Sequence, residues 1–116
     1  MNINECMATE VMGWHEFDGW WCSTETDPIT LAKKRHYEVR GRDRWWLWQP
    51  TNRIDQAMMC AEKLDEEFID YEILVSRYEK VVRIWAPSKN KWFRKCWETL
   101  DELPLAICEA VKEATK

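Results

Sequence analysis

The chain has 116 residues, 46% of them hydrophobic and 33% charged, with a formal net charge of −4. That length fits one domain over residues 1–116, large enough to fold without a metal or disulfide staple. The composition excludes a disordered chain, no run approaches the ~20 apolar residues of a helical membrane span, and the acidic excess argues against general polyanion binding.

The first helix is expected over residues 3–12. Ile3, Cys6, Met7 and Val11 recur at helical spacing, with Trp14 on the same stripe. Asn2 is placed to cap it, Glu5 sits three residues on, and Gly13 offers a left-handed stop. Residues 15–32 carry Gly19, Pro28 and a Ser/Thr/Asp run, which predicts a loop pinned by Trp20 and Trp21. Residues 36–49 read as extended, with a possible turn at Gly41-Arg42-Asp43 and an end at Pro50.

Thr51 is expected to cap a second helix reaching residue 67. Ile54, Ala57, Met58, Ala61, Leu64 and Phe68 step by threes and fours. Three strands follow at about 71–76, 81–86 and 92–98, the last two joined by Pro87-Ser88-Lys89-Asn90. Links this short make an antiparallel meander. Asp101 is expected to cap a final helix, striped by Leu103, Ile107, Ala110, Val111 and Ala114, with Pro104 tolerated in its first turn. The fold class is therefore α+β: an antiparallel sheet of three to five strands with helices packed on it. Apolar residues fall on both strand faces (Ile73 and Val75 against Leu74, Val82 and Ile84 against Trp85), so cover is expected on both sides.

Five cysteines stand at 6, 22, 60, 96 and 108, an odd number with no CxxC spacing. Reduced thiols imply the cytoplasm. Glu5 and Glu10 interrupt the start, so no signal peptide is expected.

Three segments carry a family resemblance: Val11-Met12-Gly13-Trp14, Pro50-Thr51-Asn52-Arg53-Ile54-Asp55-Gln56-Ala57, and Leu105-Ala106-Ile107-Cys108-Glu109-Ala110. Together they resemble the phage ABA sandwich domain of small bacteriophage and prophage proteins. Thr51-Asn52-Arg53, Met58 and Val111-Lys112 depart from that family's usual pattern. The resemblance implies a three-layer α/β/α sandwich and a phage origin, so the cytoplasm that the reduced thiols imply is the host cell's. It implies no activity.

The basic and aromatic stretch is the main binding candidate. Residues 33–44 hold six basic side chains against two acidic ones. Arg40, Arg42 and Arg44 alternate, and Trp45, Trp46 and Trp48 follow. Arginines hold phosphate and flat rings stack on unpaired bases. The competing account has the arginines paired with carboxylates and the tryptophans in the core. Nine tryptophans are too many to bury entirely, so some are expected in a groove or interface.

The remaining candidates are structural. His15, Glu16, Asp18 and Cys22 lack a second ligand set, and His36 is alone in a basic run, so no metal is expected. The acidic runs, Glu62 to Asp70 and Glu98 to Glu102, read as solvated faces. A mimic of the nucleic-acid backbone would need more charge. Cys108 sits in a packing position with no basic partner, and no glycine-rich phosphate loop occurs. With no cofactor and no catalytic constellation, the expected function is non-enzymatic. The first expectation is a protein-interaction module for a host protein, a phage protein or a second copy. The alternative is single-stranded nucleic-acid binding through residues 40–48.

Overall fold

The computed structural model describes residues 2–26, 32–43, 45–65, 70–76 and 78–115. The chain is α+β, and the described residues form two three-stranded antiparallel sheets and three helices. Helix α1 (Ile3–Cys6) continues as a π-helical stretch (Met7–Val11), where the Met12 N–H reaches the Met7 carbonyl at 2.9 Å. The Asn2 side chain caps it by accepting the Glu5 N–H, as expected. Gly13 ends it at φ +73°, and the Trp14 N–H closes back onto the Ala8 carbonyl.

Residues 15–26 form a hairpin where a loop is expected. Strands β1 (His15–Phe17) and β2 (Trp20–Thr26) are joined by Asp18 and Gly19 alone, both at positive φ (53° and 79°). That is the backbone a two-residue hairpin turn demands, and Asp-Gly is among the few pairs that adopt it cheaply. Strand β3 (Lys33–Glu38) completes this sheet in the order β1-β2-β3. It stops eleven residues short of the extended run expected, because the chain turns away at Val39 and returns only at Leu47, which bridges to Glu38.

Helix α2 (Ile54–Asp65) shows the expected amphipathic spacing; residues 66 and 67, which the prediction included, lie outside the described residues. Its cap differs, since Thr51 donates its N–H to Asn4 Oδ1. Strands β4 (Asp70–Val75), β5 (Lys80–Ala86) and β6 (Lys91–Cys96) make the expected meander. A 3-10 turn (Leu100–Glu102) leads into α3 (Leu103–Thr115), and Glu102, in place of Asp101, accepts the Glu98 N–H.

The core lies between the helices and one face of β4–β6. Val82, Ile84 and Ala86 meet Cys60, Leu64, Ile107 and Val111 there. Cover is partial on the other face. Trp92 is 41% exposed beside Trp85, Arg83 lies over the Trp92 ring, and Cys96 is exposed. The Arg83–Glu72 pair and Arg94–Glu79 (2.6 Å) explain why this side tolerates water.

A second aromatic cluster joins the first helix to the β1–β3 sheet. Trp14 stacks on His36 at 4.6 Å and meets Trp48 edge-on at 4.8 Å, while Tyr37 lies 5.1 Å from Trp48. Burial, with Lys34 nearby, pushes the His36 imidazole below its ordinary pKa. The unfolded chain therefore takes up that proton first. Stability is complete above about pH 6.5 and declines as pH falls through the window between the unfolded and folded values. Urea midpoints measured from about pH 7 to about pH 5 should fall more for the wild type than for His36→Phe, which keeps the ring stack. Parallel slopes would show that His36 does not titrate differently on folding.

Candidate functional site

The loop between Val39 and Leu47 carries the binding candidates, and short polar contacts hold it. The Trp45 N–H bonds Asp43 Oδ1 (2.9 Å) and the Leu47 N–H bonds the Asp43 carbonyl (3.1 Å). Glu38 receives the returning chain, donating its N–H to Trp46 and accepting that of Trp48. Beyond it, the buried Gln56 of α2 reaches back. Its Oε1 accepts the Gln49 N–H (2.6 Å) and its Nε2 donates to the Leu47 carbonyl (2.9 Å). The loop is thus anchored on its far side by one uncharged side chain.

The three tryptophans separate. Trp48 is 4% exposed and its Nε1–H donates to the Asn4 carbonyl at 2.7 Å. It is mortar between layers and cannot be a surface contact, which corrects its place among the binding residues. Trp45 and Trp46 are 74% and 53% exposed, so the account that puts all three in the core fails for these two. Arg40 and Arg42 are exposed on the same loop; Arg44 lies outside the described residues. The chain bends at 39–43, so Arg40 and Arg42 do not lie on a strand as strict alternation would require.

Neighbours in sequence, Trp45 and Trp46 serve different surfaces. Trp46 packs edge-on against Trp20 at 6.4 Å, and Trp20 pairs across the hairpin with Phe17, itself 59% exposed. Arg35 lies over Trp20 at 5.5 Å. These rings make one apolar patch at the hairpin tip. Trp45 turns toward α2, where the Arg53 guanidinium sits 4.9 Å from its ring centre. Arg53 is held by Asp55 through two bonds of 3.0 Å, which keep the Asp55 carboxyl below the usual carboxylate range. Trp45, Gln49, Asn52 and Arg53 line an open cleft of about 660 Å³. A second cleft of about 410 Å³ shares Gln49 and Asn52 and runs on past Asn4, Glu16 and Arg40.

Sequence reasoning missed Gln49, Asn52, Arg53 and Gln56. The first three flank Pro50 as ordinary turn residues; their meeting with Trp45 is a tertiary event. Gln56, at a position where the apolar period calls for a hydrophobe, was the one available signal.

The other candidates take structural places. Cys108 is fully buried, and the hydrogen-bonded Cys60 thiol, with burial, drives its pKa far upward, the opposite of an activated nucleophile. His15 sits half-buried against Lys33 Nζ at 3.2 Å. Among the described residues no three His, Cys, Asp or Glu side chains gather to hold a metal. Glu62, Glu98, Asp101 and Glu102 are exposed; residues 66 and 67 of the acidic run lie outside the described residues. No described helix is long and apolar enough to cross a membrane.

Comparison with known proteins agrees with this architecture. A crystal structure of a phage protein from Bacillus cereus ATCC 14579 superposes with a TM-score of 0.55 at 19% identity, covering 97% of this chain and 83% of that one. At that identity the likeness speaks for the fold alone. Comparison with curated proteins gives no match. The family model for the phage ABA sandwich domain matches residues 5–111. From the Asn2-capped first helix to the last apolar stripe, the chain belongs to the phage ABA sandwich domain family.

Proposed function

We propose that this chain works in the host cytoplasm by binding and not by catalysis, as a phage protein-interaction module. The partner protein sits on the patch of Phe17, Trp20 and Trp46. One observation carries this reading: Phe17, opposite Trp20 across the hairpin, and Trp46, edge-on to Trp20, hold large rings in water with more than half of each uncovered. Exposed aromatic clusters of this kind are the usual anchors of protein contacts. Five cysteines kept as free thiols fit a reducing compartment.

The test combines sedimentation velocity with capture from host lysate, using wild-type protein and a Phe17→Ala/Trp46→Ala variant as baits. Either self-association or one retained protein should weaken by about tenfold or more in the variant. A monomer at every concentration, with both baits retaining the same proteins, removes the reading.

A second reading has its own observation. Arg40 and Arg42 are exposed on the loop that also presents Trp45, the pairing of cation and open ring by which single strands are gripped. The chain's acidic balance and the Arg53–Asp55 pair limit it to a weak, salt-sensitive site.

A further inference from the structure

Beyond the Trp45 ring itself, the cleft beside it has a composition that neither reading uses. Its wall is flat: an indole ring with a guanidinium against it. Its rim is made of amides. The backbone N–H of Gln49 goes to Gln56, and that of Asn52 to the Gln49 carbonyl. The side-chain amides of Gln49 and Asn52 make no hydrogen bond among the described residues, although Gln49 is half-buried. Each presents a donor and an acceptor side by side.

A flat wall with mixed donor and acceptor edges complements a planar heterocycle carrying the same mixture on its own edge. Nucleobases have that character, and amide side chains read them in pairs of bonds. Charge narrows the class further. Asp55 opposes Arg53 at 3.0 Å, so the wall is close to neutral and is no phosphate clamp. The cation also draws electron density toward one side of the indole. A ring so polarised favours an electron-rich π face over the C–H bonds of a sugar. The volume, about 660 Å³, suits one base with its ribose.

We propose that this cleft binds a nucleobase, stacked on the Trp45–Arg53 wall and read on its edge by Gln49 and Asn52. The base is carried by a free nucleoside or by one unit of a single strand. The site is independent of the protein-binding reading, and it adds contacts to the base edge beside the Trp45 ring that the strand-binding reading uses.

The experiment is a ¹⁵N-labelled NMR titration of the full chain with adenosine, guanosine, cytidine, uridine, a tetranucleotide strand and, for comparison, cellohexaose. At least one nucleoside should shift the Trp45 indole N–H together with the Gln49 and Asn52 side-chain amides. Trp45→Ala and Asn52→Ala should each weaken it by about tenfold. Both positions are exposed, so both variants should keep the wild-type fingerprint elsewhere. Nucleoside affinity should hold as salt rises, since no phosphate is engaged. A strand that binds tighter than any nucleoside through the same three signals identifies the strand as carrier; equal affinity identifies the free nucleoside. Three results overturn the proposal. No nucleoside moves these signals at low-millimolar concentration; cellohexaose moves them and nucleosides do not; or the strand shifts Arg40 and Arg42 alone, which leaves strand binding standing without a base site.

Discussion

Trp48→Ala should lower stability by about 3–5 kcal/mol, the range for deleting a buried large aromatic. Three losses combine. The ring leaves a hole between Trp14 and Tyr37. The Asn4 carbonyl loses its 2.7 Å donor. The loop ending at Leu47 loses the side chain that draws it inward. For a domain of this size the thermal midpoint should fall by roughly 10–20 °C. Trp48→Phe separates the terms, because it retains most of the packing and deletes the N–H; about 1–2 kcal/mol is expected. Trp45→Ala, three residues away, removes an identical ring and should cost no more than about 1 kcal/mol, the value of an exposed cation–π contact. Denaturant unfolding of the three variants decides the matter. If Trp45→Ala destabilises as much as Trp48→Ala, the division of the loop into one structural and two surface rings is wrong.

That division was only half legible in the sequence. Helices α2 and α3 announce themselves through apolar spacing, and the β4–β6 meander through short turns between alternating runs. Local pattern suffices there, because the same residues make the element and bury it. The β1–β2 hairpin was legible too: Phe17-Asp18-Gly19-Trp20 contains the strongest short hairpin signal, obscured by the Ser/Thr/Asp run around Pro28 that reads as loop. The 39–47 loop is different. Its aromatic residues carry strand propensity, yet the chain turns at residues 39–43 so that Leu47 can lie beside Glu38. Propensity describes a residue's local preference and yields when tertiary contacts settle the path.

The same distinction governs the candidate site. Composition shows that nine tryptophans exceed what a small core can hold, so surface rings are foreseeable as a class. Which ones stay outside depends on partners far away in the chain: Asn4 receives Trp48, Arg53 receives Trp45, and Trp20 receives Trp46. No periodicity within residues 45–48 encodes that choice.

Gln56 makes the dependence testable. It is fully buried and spends both ends of its amide on the chain that delivers the cleft. Gln56→Ala leaves the Gln49 N–H and the Leu47 carbonyl without partners in a site water does not reach freely. The expected loss is about 2–4 kcal/mol, with early loss of hydrogen-exchange protection at the Gln49 amide. Gln56→Glu gives a sharper result. An ionised carboxylate can still accept from Gln49 but repels the Leu47 carbonyl, whereas the protonated acid can donate to it and restore both bonds. Burial and that carbonyl raise the folded pKa of the new acid above its unfolded value of about 4.3. Its stabilising bond is complete below the unfolded value and is lost as pH rises through the folded one. Gln56→Glu should therefore gain on the wild type as the solution is taken from neutral toward about pH 4. A constant gap between the two proteins over that range would mean that Leu47 has no need of the donor, and that the loop is held by Glu38 and Trp48 alone.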